Sequence, residues 1–118
     1  MAQFEIRGPK PLGNGSSIVT LSGDLDAKGA LLVEQMLVQL LEKKIFRVTL
    51  DFEKVLFISS AGVGILLGLV SSVRDAGGDA VFVRVPPKVS SVFQLLNLED
   101  YFTISDSVAA EPEIPTAG

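Results

Sequence analysis

The sequence predicts an α/β domain: a mixed, mainly parallel β-sheet that opens with an antiparallel hairpin and is crossed by three helices. Three observations predict it. Short apolar or alternating runs suited to strands take turns with longer stretches of helical spacing, the order that builds parallel sheets through right-handed crossovers. The first two strand-like runs are separated only by Pro9, Pro11 and Gly13-Asn14-Gly15, a reversal that makes them antiparallel neighbours. The chain has 118 residues, 47% of them hydrophobic, which suits one domain with a substantial core.

Taken in order, Phe4 to Arg7 alternates apolar and polar as a half-buried strand does, and Ile18 to Leu21 makes the second strand. Gly23-Asp24-Leu25-Asp26 ends it, and either aspartate can cap the helix that follows. That helix spans Lys28 to Lys43, with Val33, Met36, Leu37, Leu40 and Leu41 on one face. Lys43 and Lys44 suit its negative end. Arg47 to Phe52 is the third strand, with Asp51 near its carboxyl end, and Leu56, Phe57 and Ile58 form a short apolar crossing.

The second helix runs from Ser60 to Asp75. Val63, Leu66, Leu67, Val70 and Val73 make its core face, which leaves Ile65 and Leu69 toward the outside. Gly62, Gly64 and Gly68 each weaken a helix by about 1 kcal/mol relative to Ala, a cost tolerated where backbone must come close to something. Gly77-Gly78 ends the helix, and Ala80 to Val85 is a nearly continuous apolar strand suited to the middle of a sheet. Pro86-Pro87 opens a third helix with Val89, Val92, Phe93 and Leu96 inward, ended by Asn97. Leu98, Tyr101, Phe102 and Ile104 pack back as a closing segment, which sets a domain over residues 1–108 and a flexible tail over 109–118.

Composition removes several kinds of function. With no Cys and no His, disulfides, thiolate or imidazole metal sites, Cys nucleophiles and His-based triads are excluded. A net charge of −4 without a basic stripe argues against nucleic-acid binding. No basic region followed by an apolar run opens the chain. The longest apolar run, Ala61 to Val70, is about half a membrane span. A cytoplasmic setting away from the membrane is therefore expected.

Chemistry-bearing residues gather at two strand ends. Ser59 and Ser60 precede the second helix, where a serine caps the first turn and where a phosphate would meet the positive end of the helix. The cap and the phosphorylation site are both open readings. Asp24 and Asp26 suit a strand-end turn and a helix cap, or general acid–base work, a metal, or positioning of the serine. Gly62-Val63-Gly64 is no nucleotide loop: Leu67 stands where Gly-x-Gly-x-x-Gly needs its last glycine, and no Lys-Ser/Thr follows. The Ile65–Leu69 face is either covered by the closing segment or a docking patch.

Phe57-Ile58-Ser59-Ser60-Ala61-Gly62-Val63-Gly64 resembles the Asp-Ser-[Ser/Ala]-Gly-Leu-Gly signature of the anti-sigma factor antagonists, the single-domain STAS proteins. Gly23-Asp24-Leu25-Asp26 resembles the family's Gly-x-Leu/Ile-Asp, and Val48 to Phe52 its strand ending in Asp. Gly77-Gly78 before an apolar strand, Leu95-Leu96-Asn97-Leu98 and Ile104-Ser105-Asp106-Ser107 continue the likeness over residues 3–108.

The resemblance implies a bacterial STAS-like fold of three to four helices, although Pro112 and Pro115 interrupt a fourth. It implies no enzyme and no cofactor. It implies a protein that binds an anti-sigma factor serine kinase, releases the sigma factor, is switched off by phosphorylation, and is restored by a PP2C-type phosphatase. Ser60 takes the phosphoacceptor position, with Ser59 a second candidate, and Asp26 that of the family's acidic residue. Asp24, Asp26, Ser59, Ala61, Gly62, Val63, Gly64 and Ile65 become candidate partner-binding residues. Ser59 stands where the family has Asp, which removes a charge beside the acceptor. That departure motivates an alternative, a STAS scaffold in a larger signalling or transport assembly without phosphorylation. A small-molecule binder or enzyme using Asp24, Asp26 and Ser60 is the third reading.

Overall fold

In the computed structural model, which describes residues 2–105, the chain forms β1 (Glu5–Pro11), β2 (Ser17–Leu25), α1 (Ala27–Glu42), β3 (Arg47–Ile58), α2 (Ser60–Asp75), β4 (Asp79–Val83), α3 (Pro87–Leu95) and β5 (Thr103–Ser105). The five strands lie in sequence order in one sheet. β1 is antiparallel to β2, and β2 through β5 are parallel. The mixed, mainly parallel sheet read from the sequence is the observed one, with three helices among the described residues. The boundary at residue 108, the tail and any fourth helix lie outside those residues.

Each new parallel strand is added on the same side of the last, so right-handed crossovers place every helix on one face of the sheet. The core shows this. Val19, Leu21, Val48, Leu50, Ala80 and Phe82 share one side of the pleat, and they join Val33, Met36 and Leu40 of α1, Val63, Leu66 and Val70 of α2, and Val89 and Phe93 of α3 in a single cluster. Its β4–β5 end is aromatic: Phe82 stands 4.9 Å from Phe52, 5.9 Å from Phe93 and 4.6 Å from Phe102 between ring centroids. These distances fall in the favourable range for ring pairs.

Several sequence expectations are corrected. β1 continues through Pro9 to Pro11, because an edge strand with an irregular register between Arg7 and Lys10 tolerates residues that cannot donate. β2 extends to Leu25, so Gly23, Asp24 and Leu25 belong to the strand instead of ending it. β3 does not stop at Phe52 but runs unbroken to Ile58. Two register shifts against β2, one between Asp51 and Lys54 and one between Val55 and Phe57, insert extra residues and break the alternation that marks a strand. β4 ends at Val83 rather than Val85, because Arg84 adopts a left-handed backbone (φ 54°) that a strand cannot continue through.

In α2, Leu69 is fully buried and not outward, while Leu67 is only partly buried. α2 packs along α1 as well as on the sheet, which widens its buried arc. Leu96, expected inside, is about half exposed, and Phe102 anchors the closing segment while Ile104 stays largely outside. Arg74, in the last turn of α2, ties that segment down by bonding Asp79 (2.8 Å) and the Tyr101 carbonyl (2.7 Å).

Candidate functional site

The carboxyl ends of β2 and β3 lie side by side, with Leu25 paired to Ile58, and each feeds directly into a helix. Two helix N-termini therefore open on one rim. Open parallel sheets form their sites at such strand ends. The residues after the strands take different jobs. Asp26 is the N-cap of α1, its Oδ1 accepting from the Gly29 N–H at 2.9 Å. Ser59 is the N-cap of α2, its Oγ accepting from the Gly62 N–H at 3.2 Å.

Leu25 joins the two caps. Its carbonyl oxygen accepts from the Ser59 N–H at 3.0 Å and from the Ser59 hydroxyl at 3.3 Å. Gly62 lies so near that a Cβ there would stand 2.6 Å from the same oxygen and 2.8 Å from the Leu25 side chain. Only a glycine lets α2 start this close to β2. The expectation that backbone approach explains all three glycines of α2 holds for Gly62 alone, since nothing lies within 4 Å of a Cβ at Gly64 or Gly68.

Ser60 differs from its neighbour. It is the first helical residue, it is exposed, and no described residue bonds its side chain. The first turn of α2 holds no acidic side chain and its cap is neutral, so the positive end of the helix dipole is uncompensated beside the Ser60 hydroxyl. Ala61 and Gly64 are exposed beside it. Gly62 and Val63 are buried and Ile65 is partly buried, so the outward surface of the first turns is small and nearly flat.

Asp24 does not join this group. It pairs in register with Phe57, on the pleat side away from the helices, and its Oδ2 accepts from the Ala2 N–H at 3.3 Å. Asp24 and Asp26 thus serve separate partners. Among the described residues no cluster of three or more Asp or Glu is placed to hold a metal. No helix among them is long and apolar enough to cross a membrane.

Two features escape sequence reasoning. Leu56 and Phe57, read as part of a short apolar crossing, belong to β3 and are 59% and 51% exposed. Their placement follows from the register shifts of β3, which a single sequence does not display. The second feature is Arg84. Its guanidinium forks onto buried Asp51, through Nε to Oδ1 at 3.2 Å and through Nη2 to Oδ2, and its Nη1 reaches Glu53 at 3.2 Å. The hydrogen bond to Asp51 raises the Arg84 pKa above its ordinary value. Desolvation opposes this in part, and the charges of Asp51 and Glu53 add to it.

The residues 7–111 match the model of the STAS domain, and the chain belongs to that family. A relative described as an anti-sigma factor antagonist, BtrV of Bordetella bronchiseptica, is 29% identical over 94 residues, covering 80% of this chain and 81% of its own. Among solved structures, an anti-sigma factor antagonist from Mycobacterium paratuberculosis superposes with a TM-score of 0.74 at 20% identity, covering 92% of this chain and 89% of that one. The Bacillus cell-fate determinant SpoIIAA in its phosphorylated form superposes with a TM-score of 0.68 at 19% identity, covering 92% and 96%. The structural likenesses establish the fold.

Proposed function

We propose that this chain is an anti-sigma factor antagonist that works in the cytoplasm as a phosphorylation-controlled binding protein. Unphosphorylated, it docks an anti-sigma factor that is also an ATP-dependent serine kinase. Phosphate on Ser60 ends the binding, and a PP2C-type phosphatase restores it. The observation that carries this reading is the division of labour between adjacent serines: Ser59 is occupied as the helix cap, and Ser60 presents a free hydroxyl on the rim.

The chemistry supports it. The exposed Ala61 and Gly64 let a partner approach the α2 backbone, and exposed Leu56 offers apolar area for affinity. A phosphoserine carries a charge of about −1.5 to −2. Within the domain that charge sits at a helix N-terminus with no acid in the first turn, where it is well placed. Against a docked partner it must be desolvated, and an unpaired buried charge costs several kcal/mol. Each 1.4 kcal/mol is about tenfold in affinity.

The test is tandem mass spectrometry of the purified chain after incubation with host lysate and ATP, with Ser60→Ala as control. Phosphate on Ser60 that vanishes in the control is the expected result. Phosphate on Ser59 moves the site. No phosphate, in a lysate active on another substrate, favours a STAS scaffold that does not cycle.

A further inference from the structure

We infer that Arg84 is a positioning residue for the switch serine, acting through Asp51 at the root of the strand arm that leads to it. This deepens the proposed function and rests on Ser60 being the phosphoacceptor.

β3 has two halves. Val48 to Asp51 is paired on both sides, to β2 and to β4, and the last β3–β4 pair is Asp51 with Val83. From Phe52 to Ile58 the strand is paired only to β2 and forms an arm that ends in Ser59 and Ser60. The arm is held along one edge by β2 and on its inner side by Phe52, Val55 and Ile58 in the core, and its direction at the root decides where its tip lies.

The root is where the ion pair sits. Asp51 is the residue before the first register shift against β2, and its Oδ1 accepts from the Glu53 N–H inside that shift at 3.1 Å. Asp51 is 3% exposed, so its carboxylate depends on the partners that reach it. Arg84 supplies two of the donors from its left-handed position just past β4, and it bridges to Glu53 on the arm itself. A bulge re-aims a strand, and this one is locked by a fork from the neighbouring strand's end. Arg84 thus helps set the direction in which the arm leaves the sheet, and, together with the Ser59–Leu25 contact at the arm's tip, the placement of the α2 N-terminus. A lysine cannot make the same fork.

The experiment compares the unmodified chain, Arg84→Lys, and the double variant Asp51→Asn with Arg84→Gln, which removes both charges together. Two readouts are taken: amide hydrogen exchange residue by residue, and ATP-dependent phosphate incorporation at Ser60 in host lysate. Arg84→Lys is expected to speed exchange at Glu53 and from Ser59 to Gly62 by about tenfold or more relative to Val70 and Val73 in the same helix. It is also expected to slow Ser60 labelling by about fivefold or more, since small misplacements of a reacting group are costly. The double variant is expected to show the same local pattern. Uniform acceleration throughout the sheet assigns the pair a merely structural role and overturns the inference, as do unchanged local exchange and unchanged labelling. If the lysate labels no variant, wild type included, the phosphorylation reading falls, and the exchange pattern alone decides whether Arg84 orients the arm.

Discussion

The hydroxyl and the backbone N–H of Ser59 both donate to one oxygen, the carbonyl of Leu25, so the end of β2 and the start of α2 are held by a single residue. That hydroxyl also accepts from Gly62, and Ser60, one position on, has no such duties. The first prediction separates the two serines by stability. Ser59→Ala should lose about 1 kcal/mol, as helix caps do. Ser60→Ala should be neutral within about 0.5 kcal/mol, as exposed substitutions are. Urea denaturation of both variants checks this, and equal losses would contradict the assignment of the cap.

The glycines of α2 should respond in opposite directions. At Gly62 an added methyl meets the Leu25 carbonyl at 2.6 Å, so Gly62→Ala should destabilise by about 1–3 kcal/mol through overpacking. Gly64 and Gly68 face open space, so Ala at either should stabilise by up to about 1 kcal/mol. Thermal melts decide the signs. A drop at Gly64 or a gain at Gly62 would refute the packing described.

A dianion on Ser60 should leave the fold intact. Because α2 has no acid in its first turn, phosphorylated protein, or Ser60→Asp, should melt no lower than the unmodified chain. The expected gain is about 0.3–1 kcal/mol at low salt, diminishing as salt is raised. Loss of partner binding with the melting point maintained would place the switch in the interface. A large fall in melting temperature would place it in unfolding.

The aromatic end of the core should be the least forgiving region. Phe93 lies 5.9 Å from Phe82 and 5.0 Å from Phe102 between centroids, and it is fully buried. Phe93→Ala should cost about 3–5 kcal/mol, a large share of the stability of a domain this size. Phe93→Leu should cost less. Chemical denaturation of both would show the difference, and a small loss for the alanine variant would mean that the cluster is not a support of the β4–β5 end.

The order of elements was legible because each one is locally consistent: the periodicity of Val33, Met36 and Leu40, the break at Gly77-Gly78, and the proline at the start of α3 all act within a few residues. The serine pair was legible for the same reason, since a cap and its neighbour are set by position before a helix. What was not legible depends on contacts far apart in the chain. Glu53-Lys54 looks like a strand end because an inserted residue interrupts the alternation, and only pairing with β2 shows the strand passing through. Leu69 looks outward on a helical wheel until α1 is packed beside it. The Asp51–Arg84 pair spans 33 positions, and neither residue carries a local mark of the other.

The glycine spacing of α2 has a last consequence, for how the serine can be read. A helix containing Gly62, Gly64 and Gly68 is weak by itself, and short helices are marginal in water even with better residues. Its order comes from Leu66, Leu69, Val70 and Val73 packed into the domain. A free peptide spanning residues 59–75 carries the same residues and lacks the surface. An enzyme that modifies Ser60 must then recognise a conformational epitope, and short peptides would make poor substrates however faithfully they copy the sequence.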